Sequence, residues 1–153
     1  MEMTRADLIE KICERVKSTE KLSVDDLESR KTCNNKNFRC GLYFLFNNKD
    51  ECIYVGKVGN GKFTSLYRRI AGHGNGSHKI RDKRWYGQVS YGKWCHFNVS
   101  VKELNLLERL AIFGMGQPMF NDADSTPQII DDLVKKYFSS STLNDDEKSK
   151  THL

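Results

Sequence analysis

The chain has no run of eighteen or more apolar residues, so an apolar membrane-spanning helix is not expected. Its first sixteen residues mix charged with apolar side chains and lack the apolar centre of a secretory leader, so a cytoplasmic protein is expected. Its five cysteines, Cys13, Cys33, Cys40, Cys52 and Cys95, are odd in number, and no pair has C-x-x-C spacing. That argues against a disulfide framework or a zinc finger and for reduced thiols. Internal repeats are lacking as well. Gly56 to Lys62 spells G-x-x-x-x-G-K, but Phe63 stands where a phosphate-cradling loop needs the Ser or Thr that holds Mg²⁺. No βαβ series accompanies it, so no nucleotide cofactor is expected.

What is present is the composition of one ordinary globular domain: 153 residues, 38% hydrophobic and 29% charged. Acidic side chains are scarce in the middle. Residues 57–102 hold ten Lys or Arg against Asp82 alone, while residues 1–56 balance to zero and residues 103–153 carry a net −4. A basic centre with acidic flanks, within a net charge of +5, suits a polyanion partner.

Hydrophobic spacing predicts a helix over residues 1–18, started by Thr4 and Asp7, and a short one from Val24 to Arg30 capped by Ser23. Gly41–Phe46 and Cys52–Gly56 read as a hairpin joined by Asn47–Asp50, and Trp94–Val101 as a third strand. Helices are predicted from Thr64 or Ser65 to Ala71, over Glu103–Phe113, and over Thr126–Phe138 with Pro127 in its first turn. Residues 1–37 are expected to form an N-terminal helical extension and 38–124 the core. Residues 125–140 would pack a C-terminal helix on that core, and 141–153 would be a flexible tail.

Several side chains carry chemistry at suggestive positions. Tyr43 and Tyr54, one on each hairpin strand, can converge on one face of the sheet; plain cross-strand packing is the alternative. Arg69 and His73, four apart, share a helix face, and a bound phosphate would relieve their mutual repulsion. Glu108 has Leu104, Ala111 and Ile112 as helical neighbours, which sets a carboxylate at the edge of an apolar face. Such a group is paired, for instance with Arg69, or binds a metal. One carboxylate with waters and substrate oxygens suits Mg²⁺. Asn121 follows Pro118-Met119-Phe120 in a loop, where its amide could hold a catalytic side chain or form a turn.

The ordered set Gly41-Leu42-Tyr43, Tyr54-Val55-Gly56-Lys57, Leu66-x-x-Arg69, His73, Glu108, Pro118 and Asn121 resembles the GIY-YIG nuclease family over residues 38–124. Arg69 is preferred to Arg68 because it completes Leu-x-x-Arg four residues before His73. The resemblance implies an α+β fold, a small three-stranded antiparallel sheet flanked by helices. It implies Mg²⁺-dependent hydrolysis of double-stranded DNA to a 5′-phosphate and a 3′-hydroxyl, with Mn²⁺ able to substitute.

The same resemblance implies residue roles. Glu108 would ligate the metal, Tyr43 would accept a proton from the attacking water, and Lys57 would lower the pKa of Tyr43. Arg69 would stabilise the phosphorane charge, Tyr54 and His73 would orient water or phosphate, and Asn121 would position the site. Lys62, Arg68, His78, Lys79, Arg81, Lys83, Arg84 and Lys93 would line the DNA groove, with Trp85, Tyr86, Tyr91 and Trp94 placed to stack on bases or wedge a base step; packing in the core is the alternative for Trp94. A small stand-alone domain fits a restriction, phage or mobile-element nuclease, and cutting a palindrome would need a homodimer. A non-catalytic nucleic-acid-binding module and an RNA-directed nuclease are the competing readings.

Overall fold

In the computed structural model, residues 3–29, 38–59, 86–116, 118 and 127–138 are described. Helix α1 spans Arg5–Ser18, strand β1 Leu22–Ser23 and the short helix α2 Val24–Glu28. Strands β2 (Gly41–Phe46), β3 (Cys52–Val58) and β4 (Tyr91–His96) follow, then helices α3 (Val101–Gly114) and α4 (Pro127–Tyr137). The fold is α+β, with one antiparallel sheet in the order β1-β4-β2-β3 and helices packed on it.

Each element starts for a readable reason. Three helices open on reciprocal capping boxes: Thr4 with Asp7, Ser23 with Asp26, and Ser100 with Glu103. In the β2–β3 connection, the Asn47 carboxamide oxygen accepts from Lys49 N at 2.9 Å and Glu51 N at 3.0 Å. Asp50 takes the left-handed backbone that Asp tolerates, at φ 63°.

Strand β2 is buried along its whole length. Leu42, Phe44 and Phe46 face a core built with α1, α3 and α4, including Leu8, Ile12, Leu107, Leu110, Ile130 and Val134. Tyr43 and Leu45 face a second, smaller cluster with Leu27, Ile53, Val58 and Val89. Helix α1 thus shares the main core with the strands. No described helix is long and apolar enough to cross a membrane.

Two expectations are corrected. The sheet has four strands, because the two-residue β1 pairs with Gly92 and Tyr91 of β4. A strand so short carries no periodic pattern. The third predicted strand also begins and ends earlier than Trp94–Val101. Its start holds Gly92, where Leu27 and Leu45 close over the missing side chain; a glycine inside a strand weakens the sequence signal. Beyond its end, Phe97 O and Val99 O accept from the Cys40 thiol, and Ser100 caps the start of α3.

The described thiols, Cys13, Cys40, Cys52 and Cys95, are all free. Burial pushes Cys52 up to about 12 and also raises Cys13 and Cys95. A pKa raised on folding contributes stability that is present below the unfolded value, ordinarily near 9, and is lost as pH rises towards 12. Urea midpoints should therefore fall above pH 9, with a shallower fall in Cys52→Ala. An equal slope in the variant would remove Cys52 as a source. Ser100→Ala should lose about 1 kcal/mol with an unchanged denaturant slope.

Candidate active site

Tyr43 and Gly56 are direct partners across the β2–β3 ladder. A Cβ built on Gly56 would overlap the Tyr43 ring. A Cβ on Gly41 would overlap the Cys95 carbonyl and the ring of Trp94. The two glycines therefore seat aromatic rings from neighbouring strands on the sheet surface. Tyr54 lies beside this floor, its ring 5.9 Å from that of Tyr43 and tilted by 40°. Tyr43 is only 3% exposed, whereas Tyr54 is partly exposed. Access to solvent thus belongs to Tyr54, with Tyr43 beneath.

Lys57 stands opposite Leu42 in the register, on the face that packs against α3. Its ammonium lies 3.5 Å from Glu108 Oε1, with the two side chains 33% and 22% exposed. The carboxylate at the edge of an apolar helix face is thus paired, to Lys57. The residue alternation contained a signal for this partner, since Lys57 follows Val55 on the core-facing side of β3. Lys57 and Val58 continue the strand, so the G-x-x-x-x-G-K stretch begins as β ladder rather than as a phosphate loop.

The candidates thus form two pairs on opposite faces of the sheet: Tyr43 with Tyr54, and Lys57 with Glu108. Both pairs involve β3, which ends the described sheet order. Arg69, His73 and Asn121 lie outside the described residues, as do Lys62, Arg68, His78, Lys79, Arg81, Lys83, Arg84 and Trp85. Lys93 is described, and it donates to the Val16 carbonyl at 2.8 Å, where it caps the end of α1. Trp94 packs edge-on to Phe38, ring centroids 5.6 Å apart, against the smaller core. Tyr91 stacks on Phe46 at 4.9 Å and donates to Asp50 at 2.9 Å.

A single partly exposed carboxylate fits Mg²⁺, which binds through one or two carboxylates and keeps several waters. Among the described residues no three His, Cys, Asp or Glu side chains gather into an all-protein cage. Comparison with family models, with curated proteins and with solved structures gives no match.

The seating of Tyr43 on Gly56 can be measured with a double-mutant cycle. Gly56→Ala should destabilise the protein by more than 2 kcal/mol, roughly, through overpacking. The same change in a Tyr43→Ala background should cost much less. Equal costs in both backgrounds would mean that the ring does not require the glycine.

Proposed function

We propose that the chain is a divalent-metal-dependent endonuclease of the GIY-YIG type. It would hydrolyse DNA phosphodiester bonds to leave a 5′-phosphate and a 3′-hydroxyl. In this reading β2, β3 and β4 are the three-stranded core and β1 is an added edge. The observation that carries it is the contact of Lys57 with Glu108 at 3.5 Å, next in sequence to the glycine beneath Tyr43. The segments that supply the tripeptide, the lysine and the glutamate are thereby gathered around one strand.

Glu108 would hold Mg²⁺, which when bound supplies charge neutralisation at the scissile phosphate. Lys57 orients the Glu108 carboxylate, and its ammonium can turn to a phosphate oxygen. Tyr54, the accessible ring, is better placed than Tyr43 to meet an attacking water; Tyr43 backs it. Because the two pairs lie on opposite faces, the scissile phosphate would sit over the outer margin of β3, which ends the sheet among the described residues. Arg69, His73 and Asn121 would close around it. The basic residues of 57–102 would hold the flanking backbone, making affinity fall with salt.

Supercoiled plasmid incubated with the protein should be cut in Mg²⁺ or Mn²⁺ and left intact in EDTA. Glu108→Gln, still folded by circular dichroism, should lose at least roughly 100-fold in rate. Binding without cutting by the wild-type chain would point to a nucleic-acid-binding module. Cutting of RNA in preference to DNA would change the substrate class.

A further inference from the structure

Helices α3 and α4 flank an open groove of about 280 Å³ lined by Lys102, Asn105, Leu106, Arg109, Leu133 and Tyr137. The four α3 residues recur at intervals of three and four, so they form one stripe about two turns long. Leu106 supplies a buried apolar floor. Lys102 and Arg109 stand at the two ends, about 10 Å apart along the helix axis. Neither joins an ion pair among the described residues. Between them, Oδ1 of Asn105 is shut off from solvent and accepts no hydrogen bond. A closed-off acceptor without a donor costs stability. The groove therefore combines two cations that join no ion pair among the described residues, an unused acceptor, aliphatic walls and an aromatic ring.

We propose that this groove is a subsite for one nucleotide unit. Its phosphate is held by Arg109, whose planar guanidinium takes two phosphate oxygens, and Lys102 at the other end of the groove meets the neighbouring phosphate of the strand. Its base lies against Tyr137 and Leu133, since every base offers a face for stacking. An N–H of the base donates to Asn105, whose amide turns about its broad χ2 at little cost. The volume lies just below the floor of the range for small-molecule sites, about 300 Å³, which suits a single nucleotide unit. Arg109 follows Glu108 directly in α3. A strand held in the groove would run on from the phosphate at Glu108, and in taking that strand as the source the inference rests on the nuclease reading. A free nucleotide has the same chemistry, and the experiment separates the two.

The full chain carrying Glu108→Gln, chosen to suppress cutting, is labelled with ¹⁵N and titrated with three probes. These are deoxyadenosine 5′-monophosphate, inorganic phosphate and a single-stranded hexanucleotide. The Asn105 side-chain amide resonance should move with the hexanucleotide. Movement with the monophosphate as well assigns a site open to free nucleotides; movement with the hexanucleotide alone assigns a strand site. Arg109→Ala should weaken hexanucleotide binding roughly tenfold and lower the salt slope by about one. Asn105→Leu should abolish the site while raising the thermal midpoint by about 3 °C, because the unpaired acceptor is gone. The inference is overturned if the Asn105 amide ignores both nucleotide probes or moves equally with inorganic phosphate alone. It is also overturned if Asn105→Leu lowers the midpoint and leaves binding unchanged. A silent groove in a protein that cuts plasmid sinks this inference alone. An occupied groove in a wild-type chain that cuts nothing sinks the nuclease reading alone.

Discussion

Strand β2 is covered on both faces, and the rest of the structure follows from that burden. A strand with no solvent face needs partners on both edges and a layer above and below. The edges are met by β3 and β4. Below, α1, α3 and α4 supply the larger core; above, Leu27 of α2 and the rings of Tyr43 and Trp94 make the smaller one. On this face aromatic rings lie close against the sheet. Gly41 and Gly56 make that approach sterically allowed.

This double burial explains which parts of the fold could be read from sequence. Gly41-Leu-Tyr-Phe-Leu-Phe46 is a continuous apolar run, and its strand limits match the expectation. Thr4, Ser23 and Ser100 start helices because their hydroxyls accept from the third residue on; two of these caps were legible. Strand β1 was not legible, because two residues hold no period and its pairing is set by tertiary contact. The start of β4 was hidden by Gly92, a residue that local propensity assigns to turns.

The candidate site divides in the same way. That Glu108 lies at the edge of an apolar helix face was visible from its neighbours in the helix. Alternation with Val55 sets Lys57 on the core-facing side, but its pairing with Glu108 depends on the register that places Lys57 opposite Leu42. The convergence of Tyr43 and Tyr54 follows from strand alternation, but the burial of one and the exposure of the other depend on what covers the sheet. Lys93 and Trp94, a cation and an indole in a basic stretch, here cap a helix and pack against the smaller core, contacts that composition alone does not specify. Helix α3 turns one side to Lys57 and another to α4, so a single element carries both the proposed metal ligand and the proposed nucleotide groove.

The seat that Gly56 provides for the Tyr43 ring has a consequence for how such a sequence can drift. Leu42 or Val55 can exchange with another aliphatic residue at small cost, since their neighbours are side chains able to adjust. Positions 43 and 56 have no such freedom separately: a larger residue at 56 is tolerated only after the ring at 43 has gone. Substitution at these two sites is therefore an ordered path, in which loss of the tyrosine comes first and change of the glycine becomes neutral only afterwards.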